Sequence, residues 1–254
     1  MTHMTRTGTT LVAAMITASV LAACAPDEAA DGSGSSTSSR TTTVSTPAPP
    51  TTRLANPAAN ASLLRAAAAN DADAVRAALT AGANIDTRDD RGRTPLVAAT
   101  KNHATAAARV LIDAGADVNA ADAIQDSAYL YAGAEGFDDI LVMTLRHGAN
   151  LRAVNRFGGT ALIPASEHGY VSTVHLLIEA GVDVNHINTP RWTALQEAIV
   201  YGDGSQRYQR TVTALLDAGA DPSIRDANGR TALDNAERLG QFEIVAILGD
   251  HGAR

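Results

Sequence analysis

The polar and apolar positions of this chain predict pairs of short helices. In the stretch DDRGRTPLVAATKNHATAAARVLIDAGADVN, residues 89–119, Thr94 is placed to cap a helix start. Pro95 follows at the first helical position, where a missing N–H costs nothing. Asn102 and His103 then interrupt the apolar pattern. These signals predict a first short helix that ends before Asn102.

A second helix is predicted directly after this break. Ala107, Val110, Leu111 and Ile112 have the spacing of an apolar stripe on one helical face. Gly115 is placed to take the left-handed conformation that ends a helix. The polar residues that follow, up to Asp126, predict an outward loop that leads into the next pair of helices.

This pattern recurs along the chain in one register. The first motif appears as LTAGANID (79–86), IDAGADVN (112–119), LRHGANLR (145–152), IEAGVDVN (178–185) and LDAGADPS (216–223). The first three intervals between successive copies of this motif are equal in length, and the fourth interval is longer. The second motif appears as RTPLVAA (93–99), DSAYLYA (126–132), GTALIPA (159–165), WTALQEA (192–198) and RTALDNA (230–236).

A constant period of about 33 residues with a T-P-L-like opening resembles the ankyrin repeat family. The resemblance covers residues 58–254 as six units, which start near residues 58, 91, 124, 157, 190 and 228. It implies an all-α solenoid of helix-turn-helix units with finger-like hairpin loops, because neither helix of a unit can bury its apolar side alone. In that family the finger tips and the first helices line one face, the concave face, and proteins bind there. We therefore expect a partner surface that spans several units of a monomeric chain.

Units three to five depart most from the repeat pattern, and they gather aromatic side chains. Tyr129 occupies a consensus leucine position, so we expect it in the core. Phe157 and Trp192 fall at finger tips, where exposed rings suit binding. We expect the partner to contact Tyr131, Arg156, Phe157, Arg191, Trp192, Glu197 and Tyr201.

The fifth unit carries a five-residue insertion in YGDGSQRYQR, residues 201–210. We place it between the two helices of that unit. It is either a neutral surface loop or a second contact in which Arg207, Tyr208 and Arg210 touch a partner or the N-terminal segment.

The N-terminal region has the pattern of an export signal. Arg6 precedes the apolar run of residues 11–23, which is too short for a stable membrane span of about 20 residues. LAAC, residues 21–24, resembles the lipobox of bacterial lipoproteins and ends in the single cysteine of the chain. We expect a signal peptide at 1–23, lipidation at Cys24 and a disordered tether at 24–57, because this segment has too little apolar surface to fold. Secretion without lipidation is the alternative.

Composition and motifs limit the remaining functions. The net charge of −7 argues against a general nucleic-acid binder, whose binding surface is basic. The seven histidines form no metal-binding spacing, and there is no nucleophile elbow or phosphate-binding loop. We therefore expect no cofactor, no metal site and no catalytic residues.

The sequence predicts a non-catalytic protein-interaction module, displayed outside the cytoplasmic membrane on a lipid anchor. Its partner is an unidentified protein that binds the concave face of units three to five. The alternative is an accessory or protective factor for a secreted enzyme or toxin.

Overall fold

The computed structural model describes residues 56–254 of the chain. These residues form twelve α-helices and no β-strand. The predicted signal peptide at 1–23, the predicted lipidation site Cys24 and nearly all of the predicted tether lie outside the described residues. Within 56–254, no helix combines the length and apolarity that crossing a membrane requires.

The helices follow one another as six consecutive pairs. They are α1 (Pro57–Ala68), α2 (Ala72–Thr80), α3 (Pro95–Lys101), α4 (Thr105–Asp113), α5 (Ala128–Glu135), α6 (Asp138–Arg146), α7 (Leu162–Glu167), α8 (Val171–Ala180), α9 (Ala194–Val200), α10 (Gln206–Asp217), α11 (Ala232–Leu239) and α12 (Phe242–Asp250). Each pair is one unit, so unit one holds α1 and α2 and unit six holds α11 and α12.

The units stack in two layers. Each odd-numbered helix, the first of its unit, packs against the first helix of the next unit, and the even-numbered helices pack on one another in the same way. One apolar core runs through all six units between these layers. This arrangement confirms the predicted all-α ankyrin-repeat solenoid.

Local sequence signals explain where the helices begin and end. The Thr94 side chain accepts a hydrogen bond from the backbone N–H of Val97 at 3.2 Å, with Pro95 at the first helical position. Asn102 caps the C-terminus of α3, as its interrupting position predicts. Gly115 follows α4 with a φ of +90°, a conformation that side chains with a Cβ rarely adopt.

Unit four departs from this capping scheme. The Thr160 hydroxyl is buried and has no hydrogen-bond partner among the described residues. Helix α7 also begins one position later, relative to this threonine, than the helices that a Thr or Ser side chain caps. Pro164 lies in the first turn of α7 and has no N–H to donate to the Thr160 carbonyl. The first turn of α7 is therefore distorted, and Pro164 faces a cavity described below.

The core is made of aliphatic side chains and one fully buried tyrosine. Leu111, Leu177 and Tyr129 are each 0% exposed. The burial of Tyr129 confirms the prediction that it replaces a core leucine. Burial also raises the pKa of its hydroxyl, which has no hydrogen-bond partner among the described residues.

The inserted residues of unit five form a different structure from the one we predicted. Residues 206–210 are the first turns of α10, so only a short connection separates α9 from α10. Tyr208 is 4% exposed and its hydroxyl donates to the Glu167 carbonyl at 3.0 Å. Both interpretations of the insertion are therefore wrong for Tyr208, because its ring packs between units and is neither a loop residue nor free for a partner. Arg207 and Arg210 remain exposed.

Candidate functional site

Each finger is held by one Asp or Asn side chain, five residues before the Thr or Ser that opens the unit. These residues are Asp89, Asp122, Asn155, Asn188 and Asp226. In unit four, the Asn155 side-chain oxygen accepts backbone N–H groups of Phe157 at 2.9 Å and Gly159 at 3.1 Å. In unit five, the Asn188 oxygen accepts the N–H of Trp192 at 2.8 Å. This bond fixes the finger tip relative to the helix that follows.

The second polar atom of the same side chain determines whether a basic or an acidic group can lie between the finger and the first helices. In unit three, the Asp122 carboxylate pairs with Lys101 at 2.8 Å. In unit five, the equivalent atom is the Asn188 amide nitrogen, which donates to Glu197 Oε1 at 2.7 Å. The change from Asp to Asn at this position therefore lets a carboxyl group lie beneath the finger without repulsion.

A cavity of about 270 Å³ opens between the fingers and first helices of units four and five. Its apolar wall comes from Phe157 and Pro190 on adjacent finger tips and from Ile163, Pro164 and Tyr201. Glu167 and Glu197 form its acidic part, with the amides of Asn155 and Asn188 beside them. We call this cavity the Glu197 pocket.

Glu197 is 7% exposed, which is unusual for a carboxyl group. Its pKa is raised to about 7, mainly by burial and further by the nearby Glu167 charge, while the hydrogen bond from Asn188 opposes the shift. The two carboxyl groups also hydrogen-bond to each other when Glu197 is protonated. The pocket thus holds a proton near neutral pH and releases it above that.

Aromatic rings frame the entrance of the Glu197 pocket. Phe157 is 53% exposed and Tyr201 is 57% exposed. The Arg156 guanidinium carbon lies 4.6 Å from the centre of the Phe157 ring, within the range of a cation–π contact. Trp192 packs on Tyr201 with ring centres 5.2 Å apart. We expected Trp192 at an exposed finger position, and it is only partly exposed because of this contact.

The tip of the fifth finger is strained at Arg191. This residue has a φ of +69° and Gln125, at the equivalent position of unit three, has a φ of +67°, whereas units two, four and six have Gly92, Gly158 and Gly229 there. A left-handed conformation costs a residue with a side chain roughly 1–2 kcal/mol. Backbone strain of this kind clusters at binding and active sites.

Tyr131 does not join the other predicted contact residues at this pocket. Its ring lies 5.0 Å from the Lys101 amine and 6.3 Å from the Phe137 ring centre. Burial opposes the charge of Lys101, but the hydrogen bonds that its amine donates to Asp122 and Asp126 outweigh this effect and raise the pKa of Lys101. Tyr131 therefore belongs to a neighbouring cluster on the same finger-and-helix face.

The structure places Phe157, Glu197 and Tyr201 in the lining of the Glu197 pocket. Arg156 and Trp192 pack on two of these rings, and Arg191 lies exposed at the adjacent tip. Three other polar lining residues were not predicted from the sequence, namely Asn155, Asn188 and Glu167. The replacement of Asp by Asn in two successive fingers was the signal available for the first two.

No group of three or more His, Cys, Asp or Glu side chains in residues 56–254 is arranged to hold a metal ion. His103 stacks on Phe137 with ring centres 3.9 Å apart, and His251 lies 3.1 Å from Asp217. The hydrogen bonds to the Ile247 carbonyl and to Asp217 raise the pKa of His251. These two histidines make contacts between units.

Comparisons with known proteins agree with this architecture. The family model described as "Ankyrin repeats (3 copies)" matches residues 52–122 and 128–226. The putative ankyrin repeat protein YahD of Escherichia coli strain K12 is 38% identical over 196 residues, which are 76% of this chain and 96% of YahD.

Solved structures show the same fold. An ankyrin repeat domain from Acinetobacter baumannii AYE is 52% identical with a TM-score of 0.74, over 76% of this chain and 98% of that one. The ankyrin repeat domain of Bcl-3, a member of the IkappaB protein family, is 27% identical with a TM-score of 0.67, over 76% and 86% of the two chains. The present chain belongs to the ankyrin repeat family.

Proposed function

We propose that this chain is a non-catalytic protein-binding module whose binding site is centred on the Glu197 pocket. The ankyrin repeat is typically a protein-interaction module, and its members are generally scaffolds without enzymatic activity. The observation that carries the proposal is the pair of half-exposed rings, Phe157 and Tyr201, at the mouth of a cavity between two units.

The size of the pocket supports a protein partner. Small-molecule sites commonly measure about 300–1,000 Å³, and this cavity of about 270 Å³ lies just below that range. It suits one side chain of a partner, with the rest of the contact spread over the finger tips. Tyr and other aromatic side chains are enriched at such anchor points because they bury a large area while keeping a polar group hydrated.

The proposal includes display of the module outside the cytoplasmic membrane. Its support is the sequence alone: the apolar run at 11–23, the LAAC motif ending at Cys24 and the segment rich in small polar residues that follows. Two or more acyl chains on one cysteine would give stable anchoring, since one chain binds membranes only marginally. The partner would then be an exported or envelope protein.

The test is affinity capture from the envelope fraction of the source organism, with the full-length protein as bait. The site variant is Phe157→Ala combined with Tyr201→Ala. The matched control is Phe242→Ala, which removes a ring that is 76% exposed on α12, in the last unit.

We expect a specific partner to be retained by the wild type and the control and lost by the site variant. A buried aromatic anchor contributes about 2 kcal/mol or more, so affinity should fall roughly thirtyfold or more. Far-UV circular dichroism must show the same helix content for all three proteins. Equal retention by the site variant would show that partners bind elsewhere.

A further inference from the structure

The acidic part of the Glu197 pocket has no basic partner within the described part of the chain. Among residues 56–254, neither Glu167 nor Glu197 lies within ion-pair distance of an Arg, Lys or His. Glu197 is 7% exposed and accepts one hydrogen bond, at Oε1 from Asn188. Its other oxygen receives no N–H or hydroxyl donor from these residues. A buried carboxylate in this state is costly, so a cation brought by a ligand would be strongly favoured.

The walls of the pocket favour a planar cation. Phe157 and Tyr201 are each more than half exposed and line the pocket, and Pro190 and Ile163 complete its apolar wall. A guanidinium group is planar, so it stacks on aromatic faces and donates two parallel hydrogen bonds to a carboxylate. An ammonium group has no such planar fork. Arg156 already demonstrates the first property, since its guanidinium lies over the Phe157 ring.

We propose that the Glu197 pocket receives the arginine side chain of an exposed segment of the partner protein, with its guanidinium against the aromatic wall and its donors on Glu167 and Glu197. This inference rests on the proposed function and names the chemistry of the recognised residue. The exposed Arg156 and Arg191 at the neighbouring tips repel further positive charge, so the pocket selects one arginine within an otherwise neutral or acidic segment.

The binding should depend on pH because Glu197 must be ionised to accept a cation. Two titratable groups bear on it, Glu167 on α7 and Tyr201 at the end of α9. Burial and the charges of Glu197 and Glu167 raise the pKa of Tyr201, so its hydroxyl stays neutral at pH 8. With the pKa of Glu197 at about 7, the ionised fraction rises about tenfold from pH 6 to pH 8.

The test uses the intrinsic fluorescence of Trp192, the one tryptophan of the chain, which packs on Tyr201 beside the pocket. The full-length protein is titrated with the peptide acetyl-Gly-Arg-Gly-amide. The control peptide carries citrulline in place of arginine, because citrulline has the same shape without the charge. We expect the arginine peptide to bind at least about tenfold tighter than the citrulline peptide at pH 8.

Two variants locate the effect. Glu197→Gln should weaken the preference for arginine and remove its pH dependence, because Glu167 alone remains as an acceptor, and Glu135→Gln, an exposed change on α5, should leave both intact. Equal binding of the two peptides, or an arginine preference that Glu197→Gln leaves undiminished and still dependent on pH, would overturn the proposal. If the peptides show no preference while partner capture still requires Phe157 and Tyr201, the arginine inference fails and the proposed function stands. If partner capture does not require Phe157 and Tyr201, both the arginine inference and the proposed function fail.

Discussion

Replacing Glu197 by Gln should make the protein more stable at high pH. Glutamine has the shape of protonated glutamic acid, so it can accept from Asn188 and donate to Glu167 without carrying a charge. The wild-type carboxyl has a pKa raised from 4.5 to about 7 in the folded state, mainly by burial. Between about pH 4.5 and pH 7, the folded state therefore binds more protons at this carboxyl group than the unfolded state does.

The sign and size of the effect follow from proton linkage. Because the folded pKa is raised, this group's favourable contribution is fully present below about pH 4.5 and is lost as pH rises through 7. Each pKa unit corresponds to about 1.4 kcal/mol, so the wild type loses up to about 3 kcal/mol of unfolding free energy from this group. Glu197→Gln loses none of it.

The assay is urea unfolding of the full-length protein, followed by far-UV circular dichroism at pH 5 and pH 8. We expect Glu197→Gln to exceed the wild type by about 2–3 kcal/mol at pH 8 and by less than about 1 kcal/mol at pH 5. Comparing the two proteins at each pH cancels the titration of groups that do not interact with Glu197. Glu135→Gln is the control and should differ little at either pH, since Glu135 is exposed. The same difference between variant and wild type at both pH values would refute the reasoning.

Three further predictions address the fold, the finger tip and the anchor. Leu111→Ala should lower the unfolding free energy by about 2–5 kcal/mol in the same urea assay, because Leu111 is fully buried; a loss below about 1 kcal/mol would contradict the core assignment. Arg191→Gly should raise the unfolding free energy by about 0.5–1 kcal/mol, because glycine relieves the left-handed strain but loses more backbone entropy on folding. Destabilisation would show that the Arg191 side chain stabilises the finger. Cys24→Ala should abolish incorporation of labelled fatty acid into the protein in cells, and continued labelling would exclude Cys24 as the anchor.

The features that the sequence predicted well are those set by neighbouring residues. Thr94 and Pro95 start a helix, and Gly115 ends one, through contacts within a single turn. The constant period of the repeat then fixes how units stack, because each unit contacts only its neighbours. Helix pairing, the core position of Tyr129 and the exposed ring of Phe157 therefore followed from the pattern.

The features that the sequence did not predict depend on side chains from different units. Glu167 and Glu197 come from successive first helices, and their interaction depends on a finger amide, Asn188, that reaches over one of them. Tyr208 occupies the same position in unit five as Tyr170 in unit four, once the insertion is counted. Its hydroxyl bonds to the previous unit, a contact that the spacing within one unit cannot show.

The most direct test of the account places a photo-crosslinking residue, p-benzoylphenylalanine, at position 157 of the full-length protein in its own cells. The same replacement at Phe242 is the control, because that ring is even more exposed but lies in the last unit. We expect a discrete protein adduct after irradiation at position 157 and none at position 242. An equal adduct at both positions, or none at position 157, would contradict the claim that the Glu197 pocket binds the partner.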